Sequence, residues 1–192
     1  MGREFELKYR AQEVQFDTLR ASVSGLTPIR METTYFDTPD GALRARHWTL
    51  RTRLENGIAV CTVKTPAPNG GRGEWETECP DILQAIPELC KLGAPQELPA
   101  LVQKGLLPVC GARFTRLAAL IEAEGCTVEL ALDRGILTGG GREMPLLEVE
   151  VELKEGSDEA AVAFAAALAD RFGLQSEPNS KYRRALALAK GE

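Results

Sequence analysis

The sequence predicts an α+β fold built on an antiparallel sheet that is curled or closed, with helices packed outside it. Three observations carry this expectation. Roughly eight stretches alternate apolar and charged residues with a period of two, as half-buried strands do. Few of them alternate with helical stretches in the strand–helix–strand manner that announces a parallel sheet. Three amphipathic helical stretches offer apolar stripes to cover the apolar face of such a sheet.

The elements follow in order. "EFELKYR" opens the chain with Glu4, Glu6, Lys8 and Arg10 on one parity and Phe5, Leu7 and Tyr9 on the other. Val14, Phe16, Leu19 and Val23 predict a helix over Ala11 to Ser24, stopped by Gly25. A strand over Arg30 to Asp37 runs into a turn at Pro39-Asp40-Gly41. Leu50 to Glu55 and Ile58 to Thr65 read as a hairpin, because both residues of Asn56-Gly57 tolerate the positive φ of a tight turn. Residues 66–73 read as a loop and Glu74 to Cys79 as a strand. Between Pro80 and Pro108, Pro87, Pro95 and Pro99 limit the chain to short helices. Strands follow over Arg113 to Glu124, Cys126 to Asp133 and Leu146 to Leu153, with a turn at Glu124-Gly125 and "TGGGREMP" as a separator. Ser157 to Gly173 is a helix capped by Ser157, with Asp158 and Glu159 in its first turn, and a last helix spans Ser180 to Lys190.

Composition narrows the function classes. The 192 residues suit one domain, with 44% apolar and 27% charged residues as in ordinary soluble proteins. A net charge of -5 argues against a general nucleic-acid binder, while 23 Lys and Arg leave room for a local anion site. No apolar run approaches the roughly 18 residues of a membrane helix. Five cysteines without metal-ligand spacing read as reduced thiols of a cytoplasmic protein. With one histidine, His47, any metal falls to carboxylates, which favours Mg²⁺ or Mn²⁺. A homodimer is left open.

Strand parity groups the charges. Arg51 and Arg53 share a face, as do Glu74, Glu76 and Glu78, and Lys64 lies across the hairpin from the arginines. Glu129 and Asp133 oppose Val128, Leu130 and Leu132, and Glu148, Glu150 and Glu152 oppose Leu147, Val149 and Val151. A solvated outer face is the plain explanation for any one strand. Three acids in line repel one another, however, and helices cover a curved sheet best from outside, so the ionic faces are expected to converge on a wet axis. Guanidinium forks suit phosphate oxygens and clustered carboxylates suit a hard cation, so a polyphosphate with Mg²⁺ or Mn²⁺ satisfies both halves.

The ordered motifs resemble the CYTH (adenylyl cyclase and thiamine triphosphatase) superfamily, the triphosphate tunnel metalloenzymes. "EFELK" is similar to its ExExK signature, and "YFDT", "LRTR", "VKTP", "GEWETE", "ALDRG", "LEVEVEL" and "NSKYRRAL" follow in the family's order across the chain. The resemblance implies an eight-stranded antiparallel β-barrel, the triphosphate tunnel, with residues 1–192 as a single domain. It implies that Lys8, Arg51, Arg53, Lys64, Arg116 and Lys181 hold phosphate, with Arg116 preferred over Arg113, and that Glu74, Glu76 and Asp133 line the substrate site. Glu4, Glu6, Glu148 and Glu150 would hold metal, and Glu4, Glu6, Lys8 and Lys64 form the catalytic set. Arg44, Arg46, His47, Arg183 and Arg184 are expected on a rim or exposed face.

Bacterial inorganic triphosphatases of the family often add a histidine-rich helical domain, so the resemblance is to stand-alone members. The activity it implies is metal-dependent hydrolysis of a small triphosphate, with inorganic tripolyphosphate the leading substrate. Trp48 and Trp75, read as core residues, leave little aromatic surface for a base. The alternatives are a class IV adenylate cyclase, a thiamine triphosphatase, an RNA 5'-triphosphate processor and a non-catalytic polyphosphate-binding module.

Overall fold

Period-two patterning becomes one antiparallel sheet in the computed structural model, which describes residues 5–66 and 72–192. Its strands are β1 (Glu6–Arg10), β2 (Thr27–Asp37), β3 (Thr49–Glu55), β4 (Ile58–Pro66), β5 (Arg72–Glu78), β6 (Leu107–Ala123), β7 (Cys126–Gly139), β8 (Arg142–Gly156) and β9 (Gln175–Ser176). They are arranged β5-β4-β3-β2-β6-β7-β8-β1-β9. The ninth strand is two residues long and extends the sheet beyond β1. The sheet curls until β5 on one side and β8 and β1 on the other line a common cavity. Among the described residues no ladder joins β5 to β9, so the tunnel is shaped by curvature rather than closed by hydrogen bonds.

Local chemistry fixes the hairpins and the curl. Asn56 and Gly57 take φ of 50° and 91°, and Asn56 Oδ1 accepts from the Arg30 backbone N–H at 2.9 Å, tying the β3–β4 turn to β2. Gly135 of β7 faces Phe114 of β6, and a Cβ there would lie 2.1 Å from the Arg113 carbonyl oxygen, so only glycine lets the two strands approach so closely. The "TGGGREMP" separator proves to be a hairpin: β7 and β8 continue through it in register to Gly139↔Arg142, with Gly140 and Gly141 as the turn. The long strands β6 to β8 carry one wall of the candidate site.

Helices α1 (Glu13–Ser22), α2 (Ala42–Ala45), α3 (Ile82–Lys91), α4 (Leu98–Leu101), α5 (Asp158–Phe172) and α6 (Lys181–Lys190) complete the fold. Phe16 and Leu19 of α1 and Ala161 and Ala165 of α5 cover Leu130, Leu132, Val149 and Val151 on the outer face. Ala85, Ile86 and Leu89 of α3 cover Leu50, Cys61 and Val63, with Trp48 in the same core. Each fully buried Leu in these layers contributes roughly 1.5–3 kcal/mol. Pro87 lies inside α3 rather than ending it. Its ring is exposed, so the backbone bond it forfeits faces water while Ile86 and Leu89 hold the helix down.

The last helix is placed differently. Ala185 of α6 packs with Met31, Tyr35, Phe114, Leu137 and Leu146, whose parity is that of the cavity-lining residues. Thus α6 sits on the concave face, where Ser180, Lys181 and Tyr182 form part of the cavity wall. Ser180 Oγ caps it by accepting from the Arg183 backbone N–H at 3.2 Å.

Candidate functional site

The inward parity of eight strands and the first turn of α6 surround a cavity of about 680 Å³. Among the described residues seven basic and seven acidic side chains line it, so their grouping matters more than their sum.

One group is dry. Arg116 donates through Nε to Asp133 Oδ1 and through Nη2 to Asp133 Oδ2, both at 2.8 Å, and through Nη2 to Glu150. Lys181 Nζ meets Asp133 Oδ2 at 2.8 Å, Glu150 Oε1 at 2.6 Å and Glu148 Oε1. Arg184 Nη2 donates to the other Glu148 oxygen. Asp133 and Glu148 are 0% exposed. Burial opposes the Arg116 charge, yet Glu150 and Asp133 hold its pKa well above the ordinary value; burial likewise opposes the Lys181 charge, which Asp133, Glu150 and Glu148 sustain. Burial pushes Glu148 up to about 7 against the pull of Lys181. Burial would raise Glu150 too, but Lys181 and Arg116 hold it well below the usual carboxylate range.

The opposite wall is looser. Arg51 Nη2 stands 3.5 Å from Glu74 and 3.7 Å from Glu76, and Lys64 Nζ stands 3.0 Å from Glu74. Arg53 Nε donates to Glu55 at 2.6 Å. Burial and the neighbouring Arg51 charge lower the Arg53 pKa. Glu76 is held low: burial opposes this, but its hydrogen bond with Glu74 and the cations Arg51, Arg53 and Lys64 outweigh burial. On β1, Lys8 Nζ donates to Glu6 at 3.0 Å.

The tunnel therefore brings together Glu6, Lys8, Arg51, Arg53, Lys64, Glu74, Glu76, Arg116, Glu150 and Lys181 on one cavity. Asp133 and Glu148 sit directly behind its wall, and Glu4 lies outside the described residues. Arg113 points to the other face, where it pairs with Glu143 at 2.9 Å. Arg44, Arg46, His47 and Arg183 are exposed. Arg184 corrects the expectation of a rim position: its side chain is 12% exposed and engages Glu148. The signal for it was present, since Arg184 follows Lys181 by three residues and shares its helix face. Glu177 was also missed. It is buried, forms ion pairs with Arg10 at 3.3 Å and Arg184 at 3.7 Å, and its backbone N–H donates to the Lys8 carbonyl at 2.8 Å.

A small hard cation such as Mg²⁺ sheds its waters reluctantly and keeps several, which favours carboxylates that open onto a wet cavity. Strands β1, β7 and β8 supply them: Glu6, Glu152 and Glu129 stand opposite one another in register, with Glu150 next along β8. Asp133, Glu148 and Glu150 form a second acidic group whose oxygens lie within 4.8 Å of one another. The donor set facing the cavity fits a hard cation of the Mg²⁺ or Mn²⁺ type. No helix among the described residues is long and apolar enough to cross a membrane.

Comparison with known proteins agrees with this arrangement. An inorganic triphosphatase of Haemophilus influenzae is 29% identical over 157 residues, covering 81% of this chain and 45% of that protein, so the chain spans about half the length of this relative. HpAC1 of Hippeastrum, a candidate adenylyl cyclase with a dominant triphosphatase activity, superposes with a TM-score of 0.65 at 19% identity, over 98% of this chain and 95% of its own. The PH1819 protein of Pyrococcus horikoshii OT3 gives 0.63 at 21% identity over 98% and 99%, and a candidate adenylate cyclase of Bacillus halodurans gives 0.61 at 20% over 94% and 96%. At those identities the structures share the fold. The CYTH domain model matches residues 2–186. The chain belongs to the CYTH domain family.

Proposed function

We propose that the protein hydrolyses a small triphosphate, inorganic tripolyphosphate foremost, with Mg²⁺ or Mn²⁺. The observation that carries this reading is the convergence of six cations, Lys8, Arg51, Arg53, Lys64, Arg116 and Lys181, on one cavity that also presents carboxylates. Phosphoryl transfer asks for alignment and charge neutralisation more than covalent chemistry. Arg51 and Arg53 offer planar forks to terminal phosphate oxygens, and Lys8, Lys64 and Lys181 add compact charge. Arg116, locked by Asp133 and Glu150, is a fixed guanidinium that costs no reorganisation when the substrate enters. Glu6 and Glu150, with Glu4, are the residues that would hold the metal, which supplies Lewis-acid charge to the phosphate oxygens. Glu4, Glu6, Lys8 and Lys64 form the catalytic set.

The aromatic residues of the cavity favour the inorganic substrate. Tyr35 and Tyr182 pack on each other at 5.1 Å, and the face of Phe114 is taken by Lys181 at 5.3 Å and Arg116 at 5.9 Å. The name of the H. influenzae relative supports the same choice. The test is phosphate release from tripolyphosphate, ATP and thiamine triphosphate with either metal, with cyclic AMP measured in parallel. Fastest release from tripolyphosphate is expected. Cyclic AMP as the main product would replace this reading by a cyclase, and tight binding without any product would replace it by a non-catalytic module. A Glu4→Gln, Glu6→Gln double variant that releases phosphate at the wild-type rate would refute the metal assignment.

A further inference from the structure

The carboxylates of β1, β7 and β8 fall into two layers. Glu6, Glu129, Glu150 and Glu152 line the cavity, whereas Asp133 and Glu148 are fully buried and do not line it. The buried layer is also saturated. Both oxygens of Asp133 accept from Arg116 and those of Glu148 are taken by Lys181 and Arg184, with no exposed surface left on either carboxylate; Glu150 also accepts from Lys181 and Arg116 but opens onto the cavity. An ammonium has three N–H donors, and Lys181 contacts three carboxylates. A dication placed among Asp133, Glu148 and Glu150 would break those contacts and leave Lys181 and Arg116 beside it in the same dry volume, where uncompensated charge is costly.

We propose that Asp133 and Glu148 are positioning residues for Arg116 and Lys181 and not metal ligands, and that Arg184 holds Glu148 in that role. Arg184 bridges Glu148 to Glu177, and Glu177 is itself pinned to β1 through Arg10 and the Lys8 carbonyl. The chain of contacts runs from the outer strand β9 to the ammonium of Lys181, so the registry of α6 on β1 sets where that charge sits. The role given to Lys181 rests on the triphosphate reading of the cavity.

Calorimetric titration separates the two roles, because Mn²⁺ and tripolyphosphate can be added independently, the latter in chelator. For Glu148→Gln, Mn²⁺ affinity stays within about twofold of wild type while tripolyphosphate affinity falls by about tenfold or more, the loss typical when a buried orienting partner is removed. Arg184→Met, which leaves every carboxylate in place, shows the same split to a smaller degree, and Arg184→Lys restores part of it. Circular dichroism identifies any variant that fails to fold, and the Arg184 pair then carries the comparison. Loss of Mn²⁺ binding by about tenfold or more in a folded Glu148→Gln or Arg184→Met chain overturns the proposal, and so does unchanged tripolyphosphate affinity in both. A wild-type chain that binds neither probe overturns the functional reading, and this inference with it, before any variant is made.

Discussion

On the β3–β5 wall, Arg51, Lys64 and Glu74 keep 13%, 14% and 19% of their side chains exposed and meet at 3.5 and 3.0 Å. On the β6–β8 wall, Asp133 and Glu148 keep none, and each carboxylate oxygen is matched to a cation. The cations are equally exposed on both sides, 14% for Arg116 as for Lys64; the carboxylates that hold them are not. Partly wetted ion pairs contribute about 0–1 kcal/mol, so Arg51 and Lys64 can exchange Glu74 for a phosphate at little cost. Buried pairs lose about 3–5 kcal/mol when one partner is removed, so Arg116 and Lys181 remain where Asp133 and Glu148 put them. One wall adapts to the substrate and the other provides a fixed template.

The largest expected effect tests the template. Lys181→Met leaves three buried carboxylates short of a cation and should lower stability by about 3–5 kcal/mol in urea unfolding of metal-free protein; a loss under about 1 kcal/mol would show that this wall is as wet as the other. Next is a pH effect confined to the same wall. Glu148 stands at about 7 when folded against an ordinary 4.5, so the folded chain holds an extra proton between those values, and its contribution to stability is full below pH 4.5 and lost as pH rises through 7. Glu150, held low, has the opposite sign below 4.5. Unfolding of the metal-free chain from pH 4 to 8 should show the decline between 4.5 and 7, and Glu148→Gln should remove it; equal slopes in both chains would contradict the assignment. The smallest stability effect belongs to the adaptable wall: Lys64→Met should cost no more than about 1 kcal/mol while slowing phosphate release by about tenfold or more. A variant that loses stability and activity in proportion would erase the distinction between the walls.

Much of this was readable in the chain. Alternation gives each strand one ionic and one apolar face, and the repulsion among Glu148, Glu150 and Glu152 together with helices covering the sheet from outside turns Arg51, Lys64 and Glu150 toward one axis. Asn56-Gly57 locates its hairpin; the triple glycine at 139–141 reads from sequence as a separator, yet two of its residues form an equally tight turn. The side of the sheet on which α6 lies was not readable. Amphipathicity tells which stripe of a helix is buried, and Tyr182, Ala185 and Leu186 fit either face. From that placement come the burial of Arg184 and the saturation of Glu148, neither of which parity reports. Parity assigns a direction, and depth depends on what packs against it.

Gly135 gives the tunnel its most exacting tolerance. Where β6 and β7 pair at Phe114↔Gly135, the missing methyl group sets how closely the strands approach, and Asp133 and Arg116 lie two residues away on either strand. The bore of this tunnel is thus governed by an atom the chain leaves out, and a single alanine would move the fixed charges apart without changing any of them.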